Sequence, residues 1–86
     1  MNIWEIAILK IIAAHAGTAS LNYIYSELPQ YINLTPKHKI ITYNAPSYHH
    51  QTRAHVDDLL DSSDLIRTGR GKYSITPRGR LRFDMR

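Results

Sequence analysis

The sequence predicts a mainly α-helical domain that carries one small β-hairpin. Three observations point there. From Ser47 onward, Val56, Leu59, Leu60 and Ser63, with Thr52 one turn earlier, recur at the i, i+3, i+4, i+7 spacing of a helix laid on a core. Leu65-Ile66-Arg67 and Lys72-Tyr73-Ser74-Ile75 then read as two short strands. The Thr68-Gly69-Arg70-Gly71 turn between them has two glycines able to take positive φ. Finally, Thr76-Pro77 has the chemistry of a helix start, Thr as N-cap and Pro at the first helical position. Helix, hairpin with a basic tip, helix: this order is the second half of a winged helix-turn-helix. Such a fold lays one helix in the DNA major groove, and its hairpin, the wing, presses on the backbone.

The chain's 86 residues suit a single domain, expected over 1–86. Ile3 to Ala16 is apolar and long enough for a first helix over about 3–16, with Gly17 as its C′ residue. Ile8, Ile11, Ile12 and His15 trace one face of it, and Trp4 is expected as a packing anchor. Thr18-Ala19-Ser20 reads as a connection with Ser20 as the N-cap of a second helix over about 21–30. Leu21, Ile24, Tyr25 and Leu28 form its stripe, and Pro29 distorts its last turn.

The stretch from Tyr31 to Pro46 is long for a connection, so local structure is expected in it. Thr35-Pro36 suits a single helical turn, Lys39 to Tyr43 a short strand, and Asn44 to Ser47 a turn leading to Ser47 as N-cap. The third helix is then expected at about 48–61, the hairpin at about 65–75 and the last helix at about 77–85.

Charge adds a partner. The chain carries a net +4, but the last twenty residues hold seven basic side chains against one acid, Asp84. That segment is +6, so the rest of the chain is net negative by two. A basic footprint on hairpin and final helix favours a polyanion. There are no cysteines, which removes disulfides and thiolate metal or redox sites and suits a cytoplasmic setting. The first helix is interrupted by Glu5 and Lys10 and is too short to span a bilayer, so no membrane partner is expected.

The pattern Asp64-Leu65-Ile66, then Arg70-Gly71-Lys72-Tyr73-Ser74-Ile75-Thr76-Pro77-Arg78-Gly79, resembles the N-terminal winged-helix domain of Mrr-type restriction endonucleases. The apolar first helix and the long link before the third helix extend the resemblance over nearly the whole chain. His55 stands where that family often has tryptophan, and Asp64 where it often has glycine. No part of the chain corresponds to the nuclease domain. The resemblance implies DNA binding, in a prokaryotic or phage setting linked to restriction or defence, and implies no cleavage.

The DNA-contacting residues expected are Ser47, His50, Gln51 and Arg53 on the third helix, Arg67, Arg70 and Lys72 on the hairpin, and Arg78 on the last helix. Gln matches adenine edges and Arg matches guanine edges. No catalytic residue, cofactor or metal site is expected. The histidines of the third helix, His49, His50 and His55, do not share a face, and no nucleophile or oxyanion hole is marked. Asp57, Asp58, Asp61 and Asp64 read as a solvated helix end. Their charge near phosphates costs affinity and keeps a second class in view. That alternative is a protein-interaction module, for instance a phage-encoded inhibitor. A second copy of the chain is a further candidate partner.

Overall fold

The computed structural model describes residues 2–39, 41–42 and 45–84. It is mainly helical with a small antiparallel sheet. In order the elements are α1 (Ile3–Ala14), β1 (Thr18–Ser20), α2 (Leu21–Glu27), β2 (Ile41–Thr42), β3 (Ala45–Pro46), α3 (Ser47–Asp61), β4 (Leu65–Gly69), β5 (Lys72–Ile75) and α4 (Pro77–Asp84). Among the described residues no helix is long and apolar enough to cross a membrane.

The core is built on α1, whose Trp4, Ala7, Ile8, Leu9, Ile11 and Ile12 are all buried. Ile24 and Leu28, Val56 and Leu59, and Leu65, Tyr73 and Ile75 close around it from the other elements. Trp4 is the expected packing anchor: its ring meets the edge of His38 at 5.6 Å and stacks on His55 at 6.1 Å.

Both long helices end in a left-handed residue that is not glycine. After α1, Ala16 has φ 59° and Gly17 φ 84°. The Gly17 N–H reaches back to the Ile12 carbonyl at 2.9 Å. Ala16 therefore holds the C′ position, one residue earlier than the sequence suggests, and Gly17 the one after it. His15 lies past the helix end, exposed and stacked on Tyr23 at 4.0 Å, rather than on the core face. After α3, Ser63 has φ 66°, and Asp64 N–H bonds the Leu59 carbonyl at 2.9 Å. Ser63 is thus an exposed turn residue and not part of the buried stripe of Thr52, Val56 and Leu59.

The sheet has the order β1-β5-β4. β4 and β5 form the expected hairpin, with Leu65 opposite Ile75 and Arg67 opposite Tyr73. Its first strand runs on to Gly69 through an irregularity between Arg67 and Gly69, so the turn is Arg70-Gly71. Only Gly71, at φ 65°, uses the glycine-favoured region there.

The third strand, β1, is the segment that reads as a connection in the sequence. It pairs with β5 as Thr18 to Ser74, Ala19 to Tyr73 and Ser20 to Lys72. Three residues are too few to show a strand period; the free edge of β5 is what makes them a strand. The bonds Leu21 N–H to Gly71 O at 2.7 Å and Ile75 N–H to Gly17 O at 2.9 Å flank the pairing. The hairpin is therefore stitched to the start of α2.

Ser20 caps α2 as expected, accepting from the Tyr23 N–H at 3.1 Å, and Pro29 sits in a 3-10 turn, Leu28–Gln30. In the long link, Pro36–Lys39 forms a second 3-10 turn and β2 pairs with β3. Ile40, Tyr43 and Asn44 of the expected strand and turn lie outside the described residues, as do Met85 and Arg86 at the expected end of the last helix and basic tail. Ser47 does not cap α3. Pro46 holds the N-cap position without a side-chain bond, and the Ser47 hydroxyl donates to the Lys37 carbonyl at 2.9 Å.

Candidate nucleic-acid interface

A hollow of about 310 Å³ lies between α3, the start of α2 and the β4–β5 hairpin. Leu21, Arg53, Asp57, Leu60, Arg67, Arg70, Gly71 and Tyr73 line it. Three of the sequence-predicted residues, Arg53, Arg67 and Arg70, thus come together from two elements, all exposed. The local reasons are simple. The left-handed turn at Ser63 reverses the chain so that β4 runs back beside α3. The Gly71 turn then carries Arg70 to the rim. Arg67 Nε donates to the Gly69 carbonyl at 3.3 Å, which holds its guanidinium along the strand end. Three arginines against Asp57 leave the hollow net positive.

The α2–α3 side is pinned by aromatics. Tyr25 stacks on His49 with centroids 3.9 Å apart and planes 5° from parallel. Burial pushes the Tyr25 hydroxyl above its usual range, against the opposing pull of Arg53. Burial, and then the neighbouring His50, push His49 below its usual value and favour the neutral ring. A neutral imidazole stacked on a protonated phenol is a contact that packs α3 without spending charge.

The other predicted residues are distributed differently. His50 is three residues before Arg53 and on the same side of α3. Gln51 precedes Arg53 by two residues, so at roughly 100° per residue it leaves the helix on the opposite flank. Lys72 is exposed but lines a separate hollow with His15, Thr18, Ala19, Ser20 and Tyr23. Arg78 is drawn toward Asp64, Nε to Oδ1 at 3.9 Å. The Ser47 hydroxyl is occupied by Lys37, as above.

Asp64 overturns its sequence reading. Asp57, Asp58 and Asp61 are exposed as expected, but Asp64 is 0% exposed. Its Oδ2 accepts from Ser62 Oγ at 2.5 Å and from Arg82 Nη1. A carboxylate can be buried here because those donors and two guanidinium charges meet it. Its backbone carbonyl accepts from Thr76 N–H at 3.0 Å. Thr76 Oγ1 in turn accepts from Gly79 N–H at 3.0 Å, as an N-cap should, and donates to Ser63 O at 2.7 Å. A Cβ on Gly79 would stand 2.2 Å from the Asp64 carbonyl oxygen. The Thr76-x-x-Gly79 spacing therefore fastens α4 onto the α3–β4 corner.

A further cluster was not legible from spacing on one helix. Glu5 of α1 meets His55 of α3, Oε2 to Nδ1 at 3.2 Å, and Asp58 Oδ2 stands 3.7 Å from the same nitrogen. Asn2 caps α1 through Glu5 N–H at 3.0 Å, and its amide donates to Glu5 Oε2 at 3.1 Å. The Asn2-x-x-Glu5 spacing before an apolar run is the sequence signal for that capped end. Nothing local links it to His55, fifty positions on.

No protein-family model matches the chain, and neither a curated protein nor a solved structure does.

Proposed function

We propose that this chain is a double-stranded DNA-binding protein of the winged helix-turn-helix type. In this reading α3 enters the major groove through its N-terminal half and the β4–β5 hairpin is the wing on the backbone. The observation that carries it is the convergence of Arg53 from α3 with Arg67 and Arg70 from the hairpin on one hollow. A helix and a hairpin that present arginines to a shared, positively charged concavity match the demand of a duplex, which offers a groove and a flanking phosphate line. The resemblance to the Mrr-type N-terminal domain supports the same class. With it go a role as a small transcription regulator or as the reading part of a restriction-type system, and a cytoplasmic setting.

A gel-shift on random duplex DNA over a salt series tests this. Binding should weaken steeply with salt, with a log–log slope corresponding to about three to six phosphate contacts. Binding that is absent at low salt, or indifferent to salt, sinks the reading.

One observation favours a second reading. Asp57, Asp58 and Asp61 are exposed along the C-terminal half of α3. That acidic stretch suits docking on a basic protein surface, as an inhibitor that engages a DNA-binding partner would. Failure of the salt series with retained folding would favour it.

A further inference from the structure

The cluster on the other flank of α3 has the geometry of a metal site. Its three groups come from two helices: Glu5 in the first turn of α1, and His55 and Asp58 one turn apart on α3. One ligand atom from each, Glu5 Oε2, His55 Nδ1 and Asp58 Oδ2, lies within 4.8 Å of the other two. With the proton of the neutral imidazole on Nε2, all three are acceptors. The Asn2 amide, 3.1 Å from Glu5 Oε2 and 3.4 Å from His55 Nδ1, serves two of them, and a cation is the group that serves all three together.

Ligand atoms held at about 2.1 Å from one ion stand roughly 3.0–3.4 Å apart in tetrahedral or octahedral geometry. The observed 3.2 Å between His55 and Glu5 falls inside that span; Asp58, 3.7 Å from His55 and within 4.8 Å of Glu5, is an exposed side chain free to rotate toward both. His55 and Glu5 are mostly shielded, at 17% and 16% side-chain exposure, while Asp58 at 65% leaves the solvent side open for water ligands. The Asn2 amide bonds the ligand oxygen itself, Glu5 Oε2, at 3.1 Å and lies 3.4 Å from His55 Nδ1, so it turns aside for an ion, while the Trp4 ring packs against the His55 plane; the two shielded ligands are thus held by their neighbours before any ion arrives.

We propose that Glu5, His55 and Asp58 bind a divalent first-row transition metal ion such as Zn2+, through one imidazole nitrogen and two carboxylate oxygens. An imidazole among the donors selects such an ion over Mg2+ and Ca2+, which prefer oxygen alone. The site is open on one side and joins the capped start of α1 to the middle of α3. It does not depend on the DNA-binding reading, because Glu5, His55 and Asp58 are not among the residues lining the arginine hollow.

The chain's single tryptophan provides the readout, since Trp4 stacks on His55. Ni2+ is titrated into the full chain at neutral pH with Trp4 fluorescence recorded, then displaced with Zn2+; Mg2+ serves as a second arm. The expected result is saturable quenching at one ion per chain, on the order of micromolar, reversed by Zn2+ and not produced by Mg2+. His55→Ala and Asp58→Asn should each weaken binding at least tenfold. His38→Gln, which alters the other ring on Trp4, should leave it unchanged. Asp58 is exposed, so Asp58→Asn should fold normally, which a thermal melt checks. No saturable quenching up to millimolar ion, or quenching that survives in folded Asp58→Asn, overturns the proposal and leaves a hydrogen-bonded cluster of Asn2, Glu5 and His55.

Discussion

Two basic regions sit at opposite ends of the hairpin, and they use their charge in different ways. At the tip, Arg67 and Arg70 join Arg53 around an open hollow. At the base, Arg78 and Arg82 turn toward the buried Asp64, and Arg80 lies over Gly17, where a Cβ would come within 2.7 Å of its Nη2. A count along the sequence adds both groups into one footprint. The fold divides them into charge available to a partner and charge committed to holding α4 in place. Net charge of a segment therefore overstates the charge it can offer, by whatever is consumed by buried acids that pack against it from elsewhere in the chain.

The largest effect expected is at the base. Gly79→Ala puts a methyl group against the Asp64 carbonyl, with backbone and not a flexible side chain as the obstacle. It should destabilise the fold by more than about 3 kcal/mol, read as a large loss of melting temperature. Asp64→Ala should follow at about 2–4 kcal/mol, since it strips a buried acceptor from Ser62 and Arg82 together. A melt within a degree or two of wild type for both would show that the base is not a structural clamp.

At the tip the expectation is reversed. Arg67→Ala with Arg70→Ala should leave the melt nearly unchanged and lower the salt slope of DNA binding by about two. The sequence alone groups Lys72 with Arg67 and Arg70 as hairpin contacts. The structure turns Lys72 to the hollow beside His15 and Tyr23, so Lys72→Ala should move the slope less than either arginine. Equal slopes for Lys72→Ala, Arg78→Ala and Arg70→Ala would erase the distinction between the two regions.

A smaller effect tests the aromatic pin beside the tip. The His49 ring is held below its ordinary value of 6.5, chiefly by burial. Its folded pKa is lower than its unfolded one, so the stability it contributes is present above pH 6.5 and is lost as pH falls through the lowered folded value. Melting temperature should drop as the pH falls from 6.5 to that lowered value and level off below it, and His49→Phe, which keeps a ring against Tyr25, should drop less. Parallel pH profiles for the two proteins would refute this.

The elements of the fold were legible because each carries its own period or punctuation. Val56 and Leu59 mark α3, Ser20 and Thr76 cap their helices, and Pro29 tightens a last turn. What was not legible depends on distance along the chain. β1 exists because β5 needs an edge partner, Asp64 is buried because Arg82 comes back to it from α4, and Glu5 meets His55 only when α1 and α3 pack. The hollow was half legible. Arg53, Arg67 and Arg70 could be named from their types and positions, but that Gln51 leaves α3 on another flank follows only from the turn of the helix.

The stitching of β1 to β5 also bears on how the domain is assembled. Ala19 pairs with Tyr73, so the sheet closes a loop of more than fifty residues that contains α2, the long link and α3. Contacts this remote in sequence are entropically costly and tend to form after local ones, which slows folding relative to a bundle of the same size. The β4–β5 hairpin can form locally, but its angle to α2 is fixed only at that late closure. A peptide spanning α3 to α4 would thus carry the arginines of the hollow and the Asp64 clamp, yet lack the Leu21 to Gly71 and Ala19 to Tyr73 connections that hold the hairpin to the start of α2.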